Sequence, residues 1–195
     1  MAQKGWMVLW DGSPHLWFGS EHPPCCLMAA MEDATGKLLA ARFFPFEGTA
    51  GYLWLLKQMV KHYGVAVSIY QDRHGTLHRN DDHWSLEEQL VGRQEPTQVG
   101  LALETLGIQP IFALSPQAKG RMERLFGILQ DRLIAELRLQ GIHTIQEANA
   151  FLKSTFLKRF NRRFPIPPRQ SDKTWRKAPN RAISIKSSAF AITPP

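Results

Sequence analysis

Apolar residues recur along this chain in two periods, and the switches between them mark out the elements. Met7–Trp10 is a short apolar run that reaches Asp11 and is then punctuated by Gly12, Ser13 and Pro14, so the pattern predicts a strand with Asp11 at or near its end. Cys25–Met31 is apolar without interruption, as in a strand covered on both faces. Glu32 to Gly36 reads as a turn and Leu38–Phe44 as a third strand ended by Pro45. Three strands on short connections predict an antiparallel meander. Tyr52, Leu56, Met59 and Tyr63 then share one helical face, with Gly64 placed to end that helix. Val65–Tyr70 is a fourth strand that leads directly into Asp72. Residues 73–96 are polar and irregular and read as a loop or insertion over the surface. Thr97–Leu106 reads as a helix closed by Gly107, and Ile108–Ala113 as a fifth strand, which Pro110 assigns to a sheet edge.

The longest helical pattern begins at Ser115, a capping residue followed by Pro116 at the first helical position, and runs to about Gln140. Met122, Leu125, Phe126, Leu129 and Leu133 form its apolar stripe, so it packs on a core. Lys119, Arg121, Arg124 and Arg132 lie off the stripe, and Glu123 borders it. A lone acid there has two readings: a surface glutamate paired with arginines, or a metal-binding carboxylate beside the path of a polyanion. Thr144 and Glu147 form a capping box for a further helix. The resulting order, β-β-β-α-β-α-β-α, predicts an α/β fold with a five-stranded mixed sheet flanked by helices. Residues 1–165 read as one core and 166–195 as a basic, proline-containing extension, partly disordered.

Charge sharpens this picture. The chain carries +7 overall, but residues 1–118 sum to −4 and residues 119–195 to +11. The second part therefore reads as the face for an anionic partner, nucleic acid first among them. Cys25 and Cys26 are adjacent in an apolar run and read as buried thiols rather than a disulfide or a metal site. No apolar run is long enough to cross a membrane, and the start of the chain lacks a signal-peptide pattern, so the expected setting is the cytoplasm. His74, His78 and His83 read as part of a polar loop rather than a zinc site.

Asp11 and Asp72 both stand where a strand gives way to a loop. If the first and fourth strands are parallel neighbours, the two carboxylates lie side by side, and the helix after the fifth strand can bring Glu123 to the same place. Carboxylates gathered in this way repel one another unless cations hold them, and hard oxygen donors suit Mg²⁺ or Mn²⁺. Two such ions can activate an attacking oxygen and stabilise the leaving oxygen of a phosphodiester.

The blocks DGSPHLWF, CCLMAAMEDATGKLL, YQDRH and SPQAKGRMERLFGILQDRL resemble the integrase core of bacterial insertion-sequence transposases, with the ISNCY-type nearest in kind and the IS481-type and retroviral integrases as wider kin. The resemblance covers roughly residues 5–165. It implies an RNase H-like fold and a DDE triad, which falls by motif on Asp11, Asp72 and Glu123 as catalytic and metal-binding residues. It also implies Mg²⁺ or Mn²⁺ as a pair of ions, DNA as partner, DNA cleavage and strand transfer as the activity, and a bacterial, nucleoid-associated setting. Lys119, Arg121 and Arg124 are then expected to neutralise DNA phosphates. Asp33 matches an acid common in these cores and is expected to shape the hairpin turn. The interval between Asp72 and Glu123 holds 50 residues, longer than in retroviral integrases, with 73–96 as the insertion. These transposases place a helix-turn-helix before the core, so the chain is expected to be a fragment lacking it, working as a homo-oligomer or with a separately encoded helix-turn-helix segment. Two other readings stay open: a non-catalytic DNA-binding remnant and a stand-alone nuclease of the same fold.

Overall fold

The computed structural model describes residues 3–79, 83–113 and 116–178, except the side chains of 116–119. Its centre is a five-stranded sheet in the order β3-β2-β1-β4-β5, built from β1 (Met7–His15), β2 (Cys25–Glu32), β3 (Leu38–Phe44), β4 (Ser68–Gln71) and β5 (Gln109–Phe112). The first three strands form the expected antiparallel meander, and β4 and β5 join it in parallel. β5 is one of the two edge strands and carries Pro110, where a missing ladder donor costs least.

Two cores lie on opposite faces. Val8, Trp10 and Ile69 point to one, which α1 (Thr49–His62) and α3 (Gln98–Leu106) cover through residues such as Tyr52, Leu56, Val99 and Leu103. Leu9, Leu27 and Ala29 point to the other, which α4 (Pro116–Leu139) covers through Met122, Leu125, Leu129 and Leu133. α5 (Ile145–Phe151), a π-helical turn (Leu152–Phe156) and α6 (Leu157–Arg163) extend that second layer. Every residue of β2 is buried, which accounts for its unbroken apolar run. Cys25 and Cys26 are free and buried, and burial pushes their thiols up to about 11 and about 12.

The outer edge of β3 is closed by two asparagines. Asn161 accepts from the Leu38 amide at 2.9 Å and donates to the Leu38 carbonyl at 2.7 Å. Asn149 does the same at Phe43, at 2.8 and 3.1 Å. Each amide imitates a neighbouring strand, so the edge has no ladder groups left to offer there, and α5 and α6 are fixed against the sheet.

Three expectations are amended. β1 does not end at Asp11: Gly12, Ser13, Pro14 and His15 continue it, paired with Met28, Leu27, Cys26 and Cys25. Pro14 is tolerated because β1 has a neighbour on only one side there. The polar stretch 73–96 contains α2 (Leu86–Val91), opened by a Ser85–Glu88 capping box. Residues beyond 165 stay on the core up to Ala178: the Ile166 amide donates to Thr35, the Thr174 amide to Lys4, and the backbones of Arg176 and Val65 exchange two bonds. Residues 179–195 of the expected extension lie outside the described residues. Among the described residues no helix is long and apolar enough to cross a membrane.

Candidate active site

The parallel ladder between β1 and β4 is short, pairing Met7 with Ser68, Val8 with Ile69 and Leu9 with Tyr70. One step further, Trp10 Nε1 donates to Gln71 Oε1 at 3.0 Å, and both residues are 2 % exposed. This buried bond carries the strand register past the last ladder pair, because an indole donor and an amide acceptor left unpaired there would each cost desolvation energy. Asp11 follows Trp10 on β1 and Asp72 is the first residue after β4, so continuing the same register puts them at one level. By strand alternation both sit on the α4 side of the sheet, with Leu9 and Tyr70. Both are half-buried. Asp11 Oδ1 accepts from the Gly12 amide and Asp72 Oδ1 from the His74 amide, each at 3.0 Å.

α4 lies over this end of β1. Gln130 Nε2 donates to Ser13 Oγ at 3.2 Å, two residues past Asp11 on the same face. Glu123 stands seven residues before Gln130, two turns along the same flank of the helix, or about 10 Å along its axis. The β1–β4 register, continued by two residues, puts Asp11 and Asp72 at one level, and Glu123 is exposed on the flank of α4 that Gln130 ties to β1. Among the described residues no group of three or more His, Cys, Asp or Glu stands close enough together to hold a metal ion.

The basic residues divide. Arg124 is exposed, and the Lys119 side chain lies outside the described residues. Arg121, also exposed, lies on the opposite flank, where its guanidinium donates to the Asp33 carboxylate and, at 2.6 Å, to the Asp33 carbonyl. Asp33 thus holds the first turns of α4 to the β2–β3 hairpin. Its neighbour Glu32 also shapes the turn: its carboxylate accepts from the Ala34 and Thr35 amides at 3.0 Å each and from the Thr35 hydroxyl at 2.5 Å.

Sequence reasoning passed over Glu47 and read Tyr52 only as part of the apolar face of α1. The Tyr52 hydroxyl donates to Glu47 Oε1 at 2.5 Å. A Cβ placed on Gly12 would lie 2.6 Å from Glu47 Oε2 and 2.9 Å from Cys26 Sγ, so Glu47 packs directly against the backbone beside Asp11 and a larger residue there would have to displace it. Burial pushes the Tyr52 hydroxyl far up, and the negative charges of Glu47, Asp11 and Asp72 add to that shift in this order. Tyr52 is thus fixed as a donor between the core and a cluster of carboxylates. The only trace in the sequence is an acid just ahead of α1.

The chain is 42% identical over 168 residues to y4bF of Sinorhizobium fredii, a protein that carries a transposase name, and 36% identical over 160 residues to the transposase for insertion sequence IS1202 of Streptococcus pneumoniae. These alignments span 86% and 82% of this chain but only 35% and 33% of the relatives, so the chain covers about a third of their length. Among solved structures it is similar to the catalytic core domain of BIV integrase (TM-score 0.52, 18% identity, 75% of this chain and 79% of that one). It is also similar to the HTLV-2 integrase catalytic core domain in complex with magnesium (TM-score 0.54, 13% identity, 76% and 82%). A third likeness is to the simian T-cell lymphotropic virus intasome bound to a PP2A regulatory subunit (TM-score 0.57, 14% identity, 92% and 62%). At these identities the structural likeness establishes the fold, the RNase H-like arrangement of a five-stranded mixed sheet with flanking helices. No protein-family model matches the chain.

Proposed function

The chain is related in sequence to the insertion-sequence transposases and carries the fold of retroviral integrase catalytic cores, and from that premise we propose that it is a polynucleotidyl transferase core cleaving and joining DNA strands with a divalent metal. The observation that carries the reading is the register of β1 and β4, which continues through the Trp10–Gln71 bond and sets Asp11 opposite Asp72 at the end of the parallel ladder. Two half-buried carboxylates facing each other repel, and a hard cation relieves that repulsion. Their oxygen donors suit Mg²⁺ or Mn²⁺, and Glu123 is our assigned third donor, which α4 has to carry inward to reach the pair. Such an ion, when bound, stabilises charge developing on a phosphodiester. The chain's own residues do the rest. Trp10 and Gln71 hold the two aspartates in register, Gln130 ties the Glu123 flank to β1, Arg121 anchors the start of α4 on Asp33, and Arg124 meets the phosphates. The number of ions, two in our proposal, is part of the same reading.

The partner is DNA, with further copies of the chain as the assembly we propose, since one structural neighbour is an intasome. Its setting is the bacterial cytoplasm at the nucleoid. A supercoiled plasmid incubated with Mg²⁺ or Mn²⁺ tests this directly. The wild-type chain should nick it or join strands, EDTA should stop both, and Asp72→Asn should be silent. Nicking by Asp72→Asn at the wild-type rate would remove the aspartate from the chemistry. A second reading, a chain that binds DNA without cutting it, draws on the exposure of Glu123 and gains ground if the wild type never nicks.

A further inference from the structure

The flank of α4 opposite Glu123 carries a second chemistry. Arg132 stands eleven residues after Arg121, three turns along the same flank, and it meets α6 there across a cleft of about 220 Å³. Buried Phe156 and Phe160 form the floor, and Arg132, Arg159, Arg162 and Arg163 stand around it. Phe164 packs on Phe160 with ring centroids 4.5 Å apart, and its own ring carries two guanidinium groups, Arg132 at 5.2 Å and Arg163 at 5.8 Å. Arg159 is paired with Glu136 at 3.0 Å. Among the described residues Arg132, Arg162 and Arg163 make no ion pair.

Arginines in the last turn of α6 would favour its dipole in any case. That does not account for Arg132, which belongs to another helix and converges on the same ring. Stacking on an aromatic face holds a guanidinium in place without neutralising it and leaves its N–H edge turned outward, ready for a two-point contact with a phosphate. The cleft is also rigid, because Asn149 and Asn161 fix α5 and α6 to the edge of β3.

We propose that this arginine cleft is a DNA-backbone site separate from the aspartate pair, holding phosphates of a duplex segment that does not itself lie on Asp11 and Asp72. The choice of DNA among polyanions rests on the function proposed above. The separation rests on geometry: Glu123 and Gln130 occupy one flank of α4, while Arg121 and Arg132 occupy the other.

The test uses the whole chain and a short mixed-sequence duplex in EDTA, so that no catalysis is needed. Arg162→Gln with Arg163→Gln should weaken binding about tenfold near 0.1 M salt and shallow the dependence of log K on log salt by about two, one for each phosphate no longer neutralised. Lysine at both positions should recover the slope but only part of the affinity, since the point charge returns without the fork. Both sites are exposed, so the melting temperature should hold. Unchanged affinity and slope would overturn the proposal. So would polyglutamate, used as a protein-like polyanion, binding as tightly as the duplex and with the same sensitivity to the arginines. Plasmid nicking by saturated variant protein separates the two readings. Nicking retained with weakened binding supports a separate site, and nicking abolished even at saturation would place the arginines in the catalytic centre instead.

Discussion

The two ends of the parallel β1–β4 pair are built in opposite ways. At the end where the strands enter, the chain returns from far along the sequence and closes the sheet. Trp175 packs against Tyr63 with centroids 5.8 Å apart, and Arg176 donates through one nitrogen to the carbonyls of Ala66 at 3.0 Å, Leu106 at 3.4 Å and Gly107 at 2.7 Å. Gly5 and Gly64, both at positive φ, leave the room this strap needs: a Cβ on either would lie 2.8 Å from Trp175 or 2.6 Å from the Arg176 carbonyl. At the other end the ladder stops after Leu9 and Tyr70, no strap crosses it among the described residues, and beyond the Trp10–Gln71 bond come the half-buried acids Asp11 and Asp72. One end uses its polar groups on the protein itself. The other presents two acids, Asp11 accepting from the Gly12 amide and Asp72 from the His74 amide, whose like charges favour a cation bound between them. The contrast marks the end of the parallel pair where we propose the cation site.

If the contrast is right, substitutions at the two ends should move different quantities. The largest effect is expected at the open end on activity. Glu123→Gln keeps the shape of an exposed side chain but loses a charge and an oxygen donor, so metal-dependent nicking should fall by roughly 10²–10³-fold or more while the melting temperature holds. A variant that nicks as well as the wild type removes Glu123 from the site. At the closed end the effect should fall on stability. Trp175→Ala with Arg176→Ala removes a packed indole and the hydrogen bonds to three carbonyls. It should cost roughly 3–5 kcal/mol and lower the melting temperature by about 6–15 °C, with nicking per folded molecule unchanged. Calorimetry beside the plasmid assay would show the split, and equal losses in both readouts would erase the distinction between the ends.

A middle case sharpens it. Gln71→Leu leaves the buried Trp10 indole without an acceptor, at a cost of about 1–3 kcal/mol, and loosens the register that sets Asp11 against Asp72. It alone should lower both the melting temperature and the extra stabilisation produced by Mg²⁺. The smallest effect concerns the loop between the ends. Glu88 accepts from the Glu95 amide at 2.7 Å and the Ser85 amide at 2.8 Å. These bonds, the Glu95 one first, hold its carboxyl below the usual range against the opposing cost of burial, with Arg79 assisting. A depressed carboxyl contributes order that is complete above its unfolded pKa and is lost as pH falls through the folded one. Amide exchange across 85–95 should therefore speed up selectively below about pH 4, and Glu88→Gln should show no such step.

How far the sequence could be read follows the same division. The meander, the fourth strand and the edge position of Pro110 were legible because each depends on local periodicity or on a missing donor, whereas the parallel pairing of β4 with β1 entered only as a condition. The extension of β1 through Gly12-Ser13-Pro14 was not, because those residues signal a turn and only pairing with β2 overrides them. Asp72 and the α4 stripe could be read, since a strand end and a helical face carry local marks. Glu47 under Gly12, the Arg121–Asp33 anchor, the Arg176 strap and the asparagines on β3 depend on contacts between distant segments, and no window of sequence contains them.

The central claim is that Asp11 and Asp72 form one cation site at the unfinished end of the sheet. Titration of Mn²⁺ into the whole chain, followed by the electron paramagnetic resonance of the free ion, tests it most directly when run on the wild type, Asp11→Asn, Asp72→Asn and the double variant. A shared site predicts that either single substitution weakens the tightest binding nearly as much as both together, because each removes half of one ligand set. Independent, additive losses, or a single variant that binds Mn²⁺ as the wild type does, would contradict it.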